Sequence, residues 1–166
     1  MGSPDTLSGP ELAEQLRKAF ASDPWYGPPT ADLLAPLTAA QAATRAQASA
    51  HTIWEIVLHM TAWQREVASR LSGVSPKPPP ADWPTPPPPT EESWRQARFE
   101  LGQSLELVAT NVEALSSEEL KLLVGATRDR ALGSGVTRAA MVLGLLQHNA
   151  YHAGQIGLLA KALSEQ

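Results

Sequence analysis

Two histidines four residues apart, His148 and His152, are the strongest candidates for chemistry in this sequence. On a helix that advances about 100° per residue, four steps bring both imidazoles onto one face, one turn apart. Two imidazoles placed in this way can bind one ion, because ring nitrogens are common ligands of divalent metals. The alternative is a pair of polar side chains on an exposed face, and the spacing alone does not decide between them.

The apolar residues around this pair favour a buried position. Met141, Leu145 and Leu159 fall on the same side of the predicted helix, and a side that carries such residues is expected to face the core. Buried imidazoles without partners are costly, so a shared ligand would explain their presence there.

His59 supplies a third imidazole from another predicted helix, where it lies beside Ile56, Met60 and Trp63. Taken alone, it would be interpreted as a core histidine with a hydrogen-bond partner. Together with the pair on a facing helix, it completes a site of three nitrogens, and bundle cores are a recognised place for metals. Three protein ligands leave a coordination position for water or substrate, which distinguishes catalytic sites from closed structural ones.

Three polar residues lie close to these histidines in the sequence. Glu55 is the candidate catalytic residue, because it precedes His59 by four residues and shares its helix face. Its carboxylate could orient an imidazole, act as a base towards water, or form a surface pair. Gln155 follows His152 by three residues and is a candidate partner for a ring nitrogen or for water. His51 stands at the mouth of its helix, and we place it outside the site.

Four long helices are predicted to position these side chains. Each has apolar residues at helical spacing, and three of them begin after a residue that can cap the free amides of a first turn. Gly73 follows the second helix and suits its end. The predicted spans are Ser8–Ser22, His51–Leu71, Thr90–Leu115 and Arg138–Leu163.

Shorter segments connect the long helices. Short helical pieces are predicted over Thr30–Gln47 and Ser116–Val124, and loops over Asp23–Pro29 and Gly125–Gly135. Two aromatic residues in the first loop, Trp25 and Tyr26, are expected to fold back onto the core. No sustained alternation of apolar and polar residues is present, so we expect no sheet.

Three arginines, Arg128, Arg130 and Arg138, precede or open the last predicted helix. They are candidates for binding an anionic substrate. The alternative is a solvated loop, which is the usual environment of arginines in such segments.

A proline-rich connection is predicted between the second and third long helices. Nine of the fifteen prolines lie between Pro76 and Pro89, and proline excludes both helix and central strand there. An extended crossover of this kind would let the third helix run parallel to the second. Recognition of the stretch by a proline-binding domain is an alternative, and a rigid connection is the expected role.

The composition limits the possible classes of function. The 166 residues suit a single domain, 1–166. Thirteen basic and seventeen acidic residues give a net charge of −4, so we expect neither nucleic acid nor a membrane as partner. Cysteine is absent, which leaves His, Asp and Glu as metal ligands. Residues Met1 to Asp5 do not resemble a secretory signal, and a cytoplasmic location is expected.

Three segments together resemble the DinB/YfiT-like superfamily. They are Thr52–Trp63, the run from His148 to Ile156 with its His-x-x-x-His-x-Gly-Gln-Ile pattern, and the earlier Pro24–Pro28. The resemblance implies an all-α four-helix bundle of up-down-down-up topology and a divalent metal on His59, His148 and His152. It also implies a homodimer, and an activity such as thiol-dependent transfer or metal-dependent hydrolysis.

We therefore expect a metal-dependent hydrolase or thiol S-transferase that acts on a small molecule, with a low-molecular-weight thiol as a candidate cosubstrate. The alternative is a metal-stabilised stress-response or binding module without catalysis, in which the ion ties two helices together. Imidazole ligands suit several metals. Zinc and nickel are the first candidates, and iron and manganese are the next.

Overall fold

The computed structural model describes residues 7–48 and 50–165, and most of these residues are helical. In chain order the elements are α1 (Gly9–Ala21), α2 (Thr30–Leu34), α3 (Ala39–Ala43), α4 (Ile53–Leu71), α5 (Glu91–Glu113), α6 (Ser117–Lys121), β1 (Leu123–Asp129), β2 (Ser134–Thr137) and α7 (Arg138–Ser164). The predicted helical class is confirmed. Residues Met1 to Asp5, on which the expected lack of a secretory signal depends, lie outside the described residues.

The helix boundaries follow from residues that satisfy the free backbone groups of helix ends. Ser8 and Thr52 each form a capping box with the glutamate three residues later, so that α1 begins after the predicted cap and α4 begins at Ile53, two residues after the predicted His51. Gly73 follows α4 with a φ of 90°, a conformation that costs glycine little and other residues more.

Helices α4 and α5 pack side by side, and their contacts follow the same order along both helices. The indoles of Trp54 and Trp94 lie 5.1 Å apart, Ser104 Oγ donates to Gln64 Oε1 at 2.5 Å, and Asn111 Nδ2 donates to the Ala68 carbonyl at 3.2 Å.

Helix α1 meets α5 in the opposite order. Its first residue, Gly9, lies so close to the end of α5 that an added Cβ would overlap the Val112 carbonyl oxygen. Towards the other end of α1, Phe20 contacts Gly102. Helix α7 then contacts both α1 and α4, which places the histidines of α7 beside the histidine of α4.

Two clusters of buried apolar side chains stabilise this arrangement. One lies between α1, the second halves of α4 and α5, β1 and the first half of α7; the other lies between the first halves of α4 and α5, the short helices α2 and α3, and the second half of α7. Burial of apolar side chains stabilises by roughly 25 cal/mol per Å². The apolar residues that recur at helical spacing along α5 are buried, namely Trp94, Leu101, Leu105, Val108 and Val112, and Leu115 just beyond its end is partly buried.

The segment before α7 is a small antiparallel hairpin, so the prediction of a loop at Gly125–Gly135 without a sheet was wrong. Leu123 pairs with Thr137 and Val124 with Val136, with an irregular register beyond them. Most of β1 is exposed, which removes the alternation that marks a half-buried strand. Gly135 has a φ of 68° and its Cα faces the backbone of β1 too closely for a side chain.

The expectation that Trp25 folds back onto the core was also wrong. Its side chain is fully exposed, whereas Tyr26 is partly exposed and its hydroxyl donates to the Ala19 carbonyl at 3.4 Å. Three prolines fix backbone torsions in this loop, and both aromatic residues lie between the first and second of them.

Between α4 and α5, residues 74–90 form neither helix nor strand, as the prolines predict. Among the residues that the structure describes, no helix is both long enough and apolar enough to cross a membrane.

Candidate metal centre

Three imidazoles from two helices converge on one point. His59 comes from α4, and His148 and His152 come from α7. The Nε2 atom of His148 lies 3.0 Å from Nε2 of His59 and 3.1 Å from Nε2 of His152. Nitrogens that share one ion, each about 2.1 Å from it, lie within about 4 Å of one another. The spacing therefore fits the predicted three-histidine group, which is present in the fold.

The partners of two of these rings fix where their protons reside. Nδ1 of His59 donates to the Asp82 carbonyl at 2.6 Å, and Nδ1 of His152 donates to Gln155 Oε1 at 2.6 Å. In each neutral ring the other nitrogen, Nε2, then carries a lone pair that faces the centre of the group. The predicted contact between Gln155 and a ring nitrogen is confirmed.

The arrangement of the three Nε2 atoms suits a shared cation better than a network of hydrogen bonds. Lone pairs of His59 and His152 both face Nε2 of His148, which has one proton at most and can donate to one of them at a time. Nδ1 of His148 is buried and has no hydrogen-bond partner among the described residues. A divalent cation accepts all three lone pairs together.

Burial keeps the imidazoles of His148 and His152 in the neutral form that binds metals. His59 and His152 are buried, and His148 is partly buried. Burial lowers the pKa of His148 to about 4, and the neighbouring His152 and His59 add to this effect. Burial also lowers the pKa of His152, although the hydrogen bond to Gln155 opposes the shift. At neutral pH neither ring must lose a proton before it can coordinate an ion.

An indole from the proline-rich segment covers one side of the group. Trp83 stacks on His59 with ring centres 4.0 Å apart, and its ring centre lies 6.0 Å from that of His152. His51 covers the opposite face of the indole at 3.5 Å. His51 is therefore outside the three-histidine group, as predicted, but it touches the residue that shields the group.

A cavity of about 500 Å³ opens beside the three histidines. His59 and His148 lie in its wall, and the hairpin and the first half of α7 form much of the remainder. Its size is typical of sites for small organic ligands. A molecule in this cavity would reach two of the three imidazoles directly.

A buried ion pair holds together the elements around this cavity. Nε of Arg70 donates to Glu66 Oε1 at 2.8 Å, and both side chains are almost fully buried. The guanidinium also donates to the Leu132 carbonyl in the hairpin and to the Lys77 carbonyl in the proline-rich segment. These hydrogen bonds connect α4 to the hairpin and to the proline-rich segment.

Glu55 has partners that are not part of the three-histidine group. Its carboxylate accepts from the Thr52 backbone amide at 2.7 Å and from Arg45 Nη2 at 2.8 Å, and it lies 3.4 Å from His51 Nδ1. These contacts give it a helix-capping function. Its predicted catalytic role stays a prediction.

The three arginines near the last helix have different surroundings. Arg130 lies in the wall of the cavity, next to the hairpin turn. Arg128 donates to the Asp129 and Ser134 carbonyls and belongs to the hairpin itself. Arg138 begins α7, where its backbone amide donates to the Leu122 carbonyl.

Sequence reasoning missed two residues of the site, Asp82 and Trp83. Both lie in the proline-rich segment, which was predicted only as a connection. Asp82 also accepts from Trp63 Nε1 at 2.8 Å through its carboxylate. The available signal was one acidic and one aromatic residue side by side within a run of prolines.

Comparison with known proteins identifies a family. The sequence model of the DinB superfamily matches residues 29–156, which include all three histidines and both residues of the proline-rich segment that contact them. No curated protein matches this chain, and no solved structure matches it.

Proposed function

Because this chain belongs to the DinB superfamily, we propose that it is a divalent-metal-dependent enzyme acting on a small molecule at His59, His148 and His152. One observation carries the proposal: the cavity of about 500 Å³ opens on two of these imidazoles. An ion with a purely structural role would have a fourth protein ligand and no cavity beside it.

The residues of the site would each contribute to this activity in a defined way. The Asp82 carbonyl and Gln155 hold ring protons away from the centre, so that the lone pairs are available to a metal. A bound divalent cation supplies Lewis acidity, which favours the deprotonated form of water or of a thiol at neutral pH. The apolar side chains of the cavity wall lower the local polarity and thereby strengthen electrostatic interactions beside the histidines.

Hydrolysis and thiol-dependent group transfer are both included in the proposal. The chain has no cysteine, so the thiol in a transfer reaction would enter as a small cosubstrate. Zinc and nickel are the proposed metals, and iron is a further candidate, since imidazole ligands suit all three; manganese, which prefers oxygen ligands, is the last candidate.

We also propose that the four long helices form an up-down-down-up bundle with the proline-rich segment as its crossover. The order of contacts supports this topology. Residues of α4 and α5 meet in the same order along both helices, as in a parallel pair, and residues of α1 and α5 meet in reverse order. A crossover between α4 and α5 must then span the length of the bundle.

Elemental analysis of protein purified without an affinity tag tests the metal site. We expect stoichiometric metal in the wild type and none in His148→Ala. His51→Ala is the matched control, because it removes an imidazole that lies near the group but outside it, and it should retain the metal. Unchanged metal content in His148→Ala would refute the assignment.

Turnover assays then test the enzymatic part of the proposal. The metal-loaded protein should show activity in a panel of thiol conjugations or of ester and amide hydrolyses, and His148→Ala should show none. Stoichiometric metal without turnover in any of these assays would support the non-catalytic alternative, in which the ion only ties α4 to α7.

A further inference from the structure

The wall of the cavity beside the three histidines is mostly apolar. Residues from α4, the hairpin and α7 contribute hydrocarbon surface on several sides: Val67, Leu132, Val136, Met141 and Leu145. Apolar walls with a few well-placed polar groups are typical of sites that bind small organic molecules. The charged groups in the cavity wall therefore determine which polar group of a ligand the cavity can bind.

Arg70 lies at the cavity, but its charge is already balanced. It is buried together with Glu66, which accepts from its Nε at 2.8 Å. Its two terminal nitrogens donate to the Leu132 carbonyl at 2.6 Å and to the Lys77 carbonyl at 3.2 Å. With its donors engaged by the protein, this guanidinium has little capacity left for a ligand.

Asp82 is the only carboxylate in the cavity wall as the described residues form it, and it too is engaged. It accepts from Trp63 Nε1 at 2.8 Å and lies 3.4 Å from Nδ1 of His59. It forms no ion pair with Arg130 among the described residues. It therefore does not neutralise that guanidinium.

Arg130 differs from both groups. Its side chain is exposed in the cavity wall, and it has neither a hydrogen bond nor an ion pair within the part of the chain that the structure describes. A planar guanidinium with free donors binds carboxylate and phosphate groups through paired, charge-assisted hydrogen bonds. The cavity thus combines an apolar wall, a three-histidine end and an uncompensated cation.

We infer that the cavity binds a small organic anion with an apolar body, whose charged group pairs with Arg130 while its other end approaches the three histidines. The inference rests on the proposed function, for which it names the ligand class. Carboxylate and phosphate share the required chemistry.

Isothermal titration of metal-loaded protein with three matched probes tests the inference. The probes are phenylbutyrate, phenylbutyl phosphate and phenylbutanol, which share one apolar body and differ in the charge of the head group. We expect at least one anion to bind about tenfold more tightly than the neutral alcohol, as charge-assisted hydrogen bonds predict. The tighter of the two anions identifies the preferred head group.

Variants of Arg130 give the decisive comparison. Arg130→Ala should remove the preference for the anion and leave binding of phenylbutanol unchanged, and Arg130→Lys should restore part of the preference. Arg95→Ala, which removes one positive charge from α5 outside the cavity wall, is the matched control and should bind all probes as the wild type does. Equal affinity for the alcohol and both anions, or full anion preference in Arg130→Ala, would overturn the inference.

The same titration on His148→Ala separates this inference from the proposed function. If the metal site fails but the anion site exists, the Arg130-dependent preference persists in protein whose metal content has been measured as zero. If the metal is present and the preference is absent, the metal assignment stands and the ligand class is wrong.

Discussion

The imidazole of His59 stacks on the indole of Trp83, with ring centres 4.0 Å apart and ring planes 7° apart. The opposite face of the indole is covered by His51, with planes 1° apart. A residue of the proline-rich segment is thereby fixed on both faces, and it restricts the orientation of one candidate metal ligand.

Replacing Trp83 is expected to weaken metal binding without removing it. Trp83→Ala should raise the dissociation constant about three- to tenfold, because the loss of one stacked pair frees the His59 ring. Trp83→Phe should lie between the wild type and Trp83→Ala. Competition with a chromophoric chelator measures the effect. Trp25→Ala, at a fully exposed position, is the control, and equal affinities for both alanine variants would contradict the prediction.

Gln155 is expected to act through the hydrogen bond that it accepts from His152. Gln155→Ala should weaken metal affinity about 10- to 100-fold, which is typical for the loss of a partner that orients a ligating histidine. Gln155→Glu keeps an acceptor oxygen and should remain close to the wild type. Gln103→Ala, on the exposed side of α5, controls for general effects. An affinity loss in Gln155→Glu as large as in Gln155→Ala would argue against this role.

Breaking the buried pair of Glu66 and Arg70 is expected to destabilise the fold strongly. Glu66→Gln leaves a buried guanidinium without its carboxylate and should lower the free energy of unfolding by about 3 kcal/mol. The double variant Glu66→Leu with Arg70→Met should be less destabilised than Glu66→Gln. Denaturant titration measures both.

The exposed pair of Arg65 and Glu100 provides the comparison. Glu100→Gln should change the free energy of unfolding by less than about 1 kcal/mol. Similar losses for Glu66→Gln and Glu100→Gln would show that burial of the first pair has no energetic consequence.

Glu55 is expected to affect stability in a pH-dependent way and to leave metal content unchanged. Burial alone would raise the pKa of Glu55, but the Thr52 amide and Arg45 outweigh it, so its pKa lies below the ordinary value of 4.5. The ionised carboxylate therefore stabilises the fold at neutral pH. This contribution is lost as the pH falls below 4.5, because the unfolded state takes up the proton first.

Thermal or denaturant unfolding of Glu55→Ala tests this account. At pH 7 the variant should be less stable by about 1 kcal/mol, as for the loss of other helix caps, and the difference from the wild type should narrow in acid. Normal stability combined with lost turnover would instead support the catalytic role predicted from the sequence.

The helices and the histidines could be predicted because their signals are local. A capping box occupies four consecutive residues, as at Ser8, and it indicates a helix start without knowledge of the rest of the fold. The pair His148 and His152 is likewise joined by one helical turn. Including His59 required one further expectation, that the apolar face of its helix packs against the helix of His148 and His152.

The contacts that were missed depend on tertiary structure. Asp82 reaches His59 across 23 residues of sequence, and no local pattern specifies which carbonyl of a proline-rich segment meets a ring. The mostly exposed strand β1 lacks the periodicity that burial imposes, so it could not be distinguished from a loop. The sequence could not distinguish Arg130 from Arg128 and Arg138, because the three residues differ in their tertiary contacts.

The stiffness of the proline-rich segment limits which changes in length the protein can accept. Lys77 is anchored near its start, because its backbone amide donates a hydrogen bond to Glu66 Oε1, and Thr90 is anchored at its end as the cap of α5. Extended proline-rich chain advances about 3 Å per residue, so deletion of one residue between these anchors would displace Asp82 or Trp83 by about the length of a hydrogen bond. A flexible loop would adjust to such a deletion, whereas in this stiff segment the displacement would be transmitted to His59.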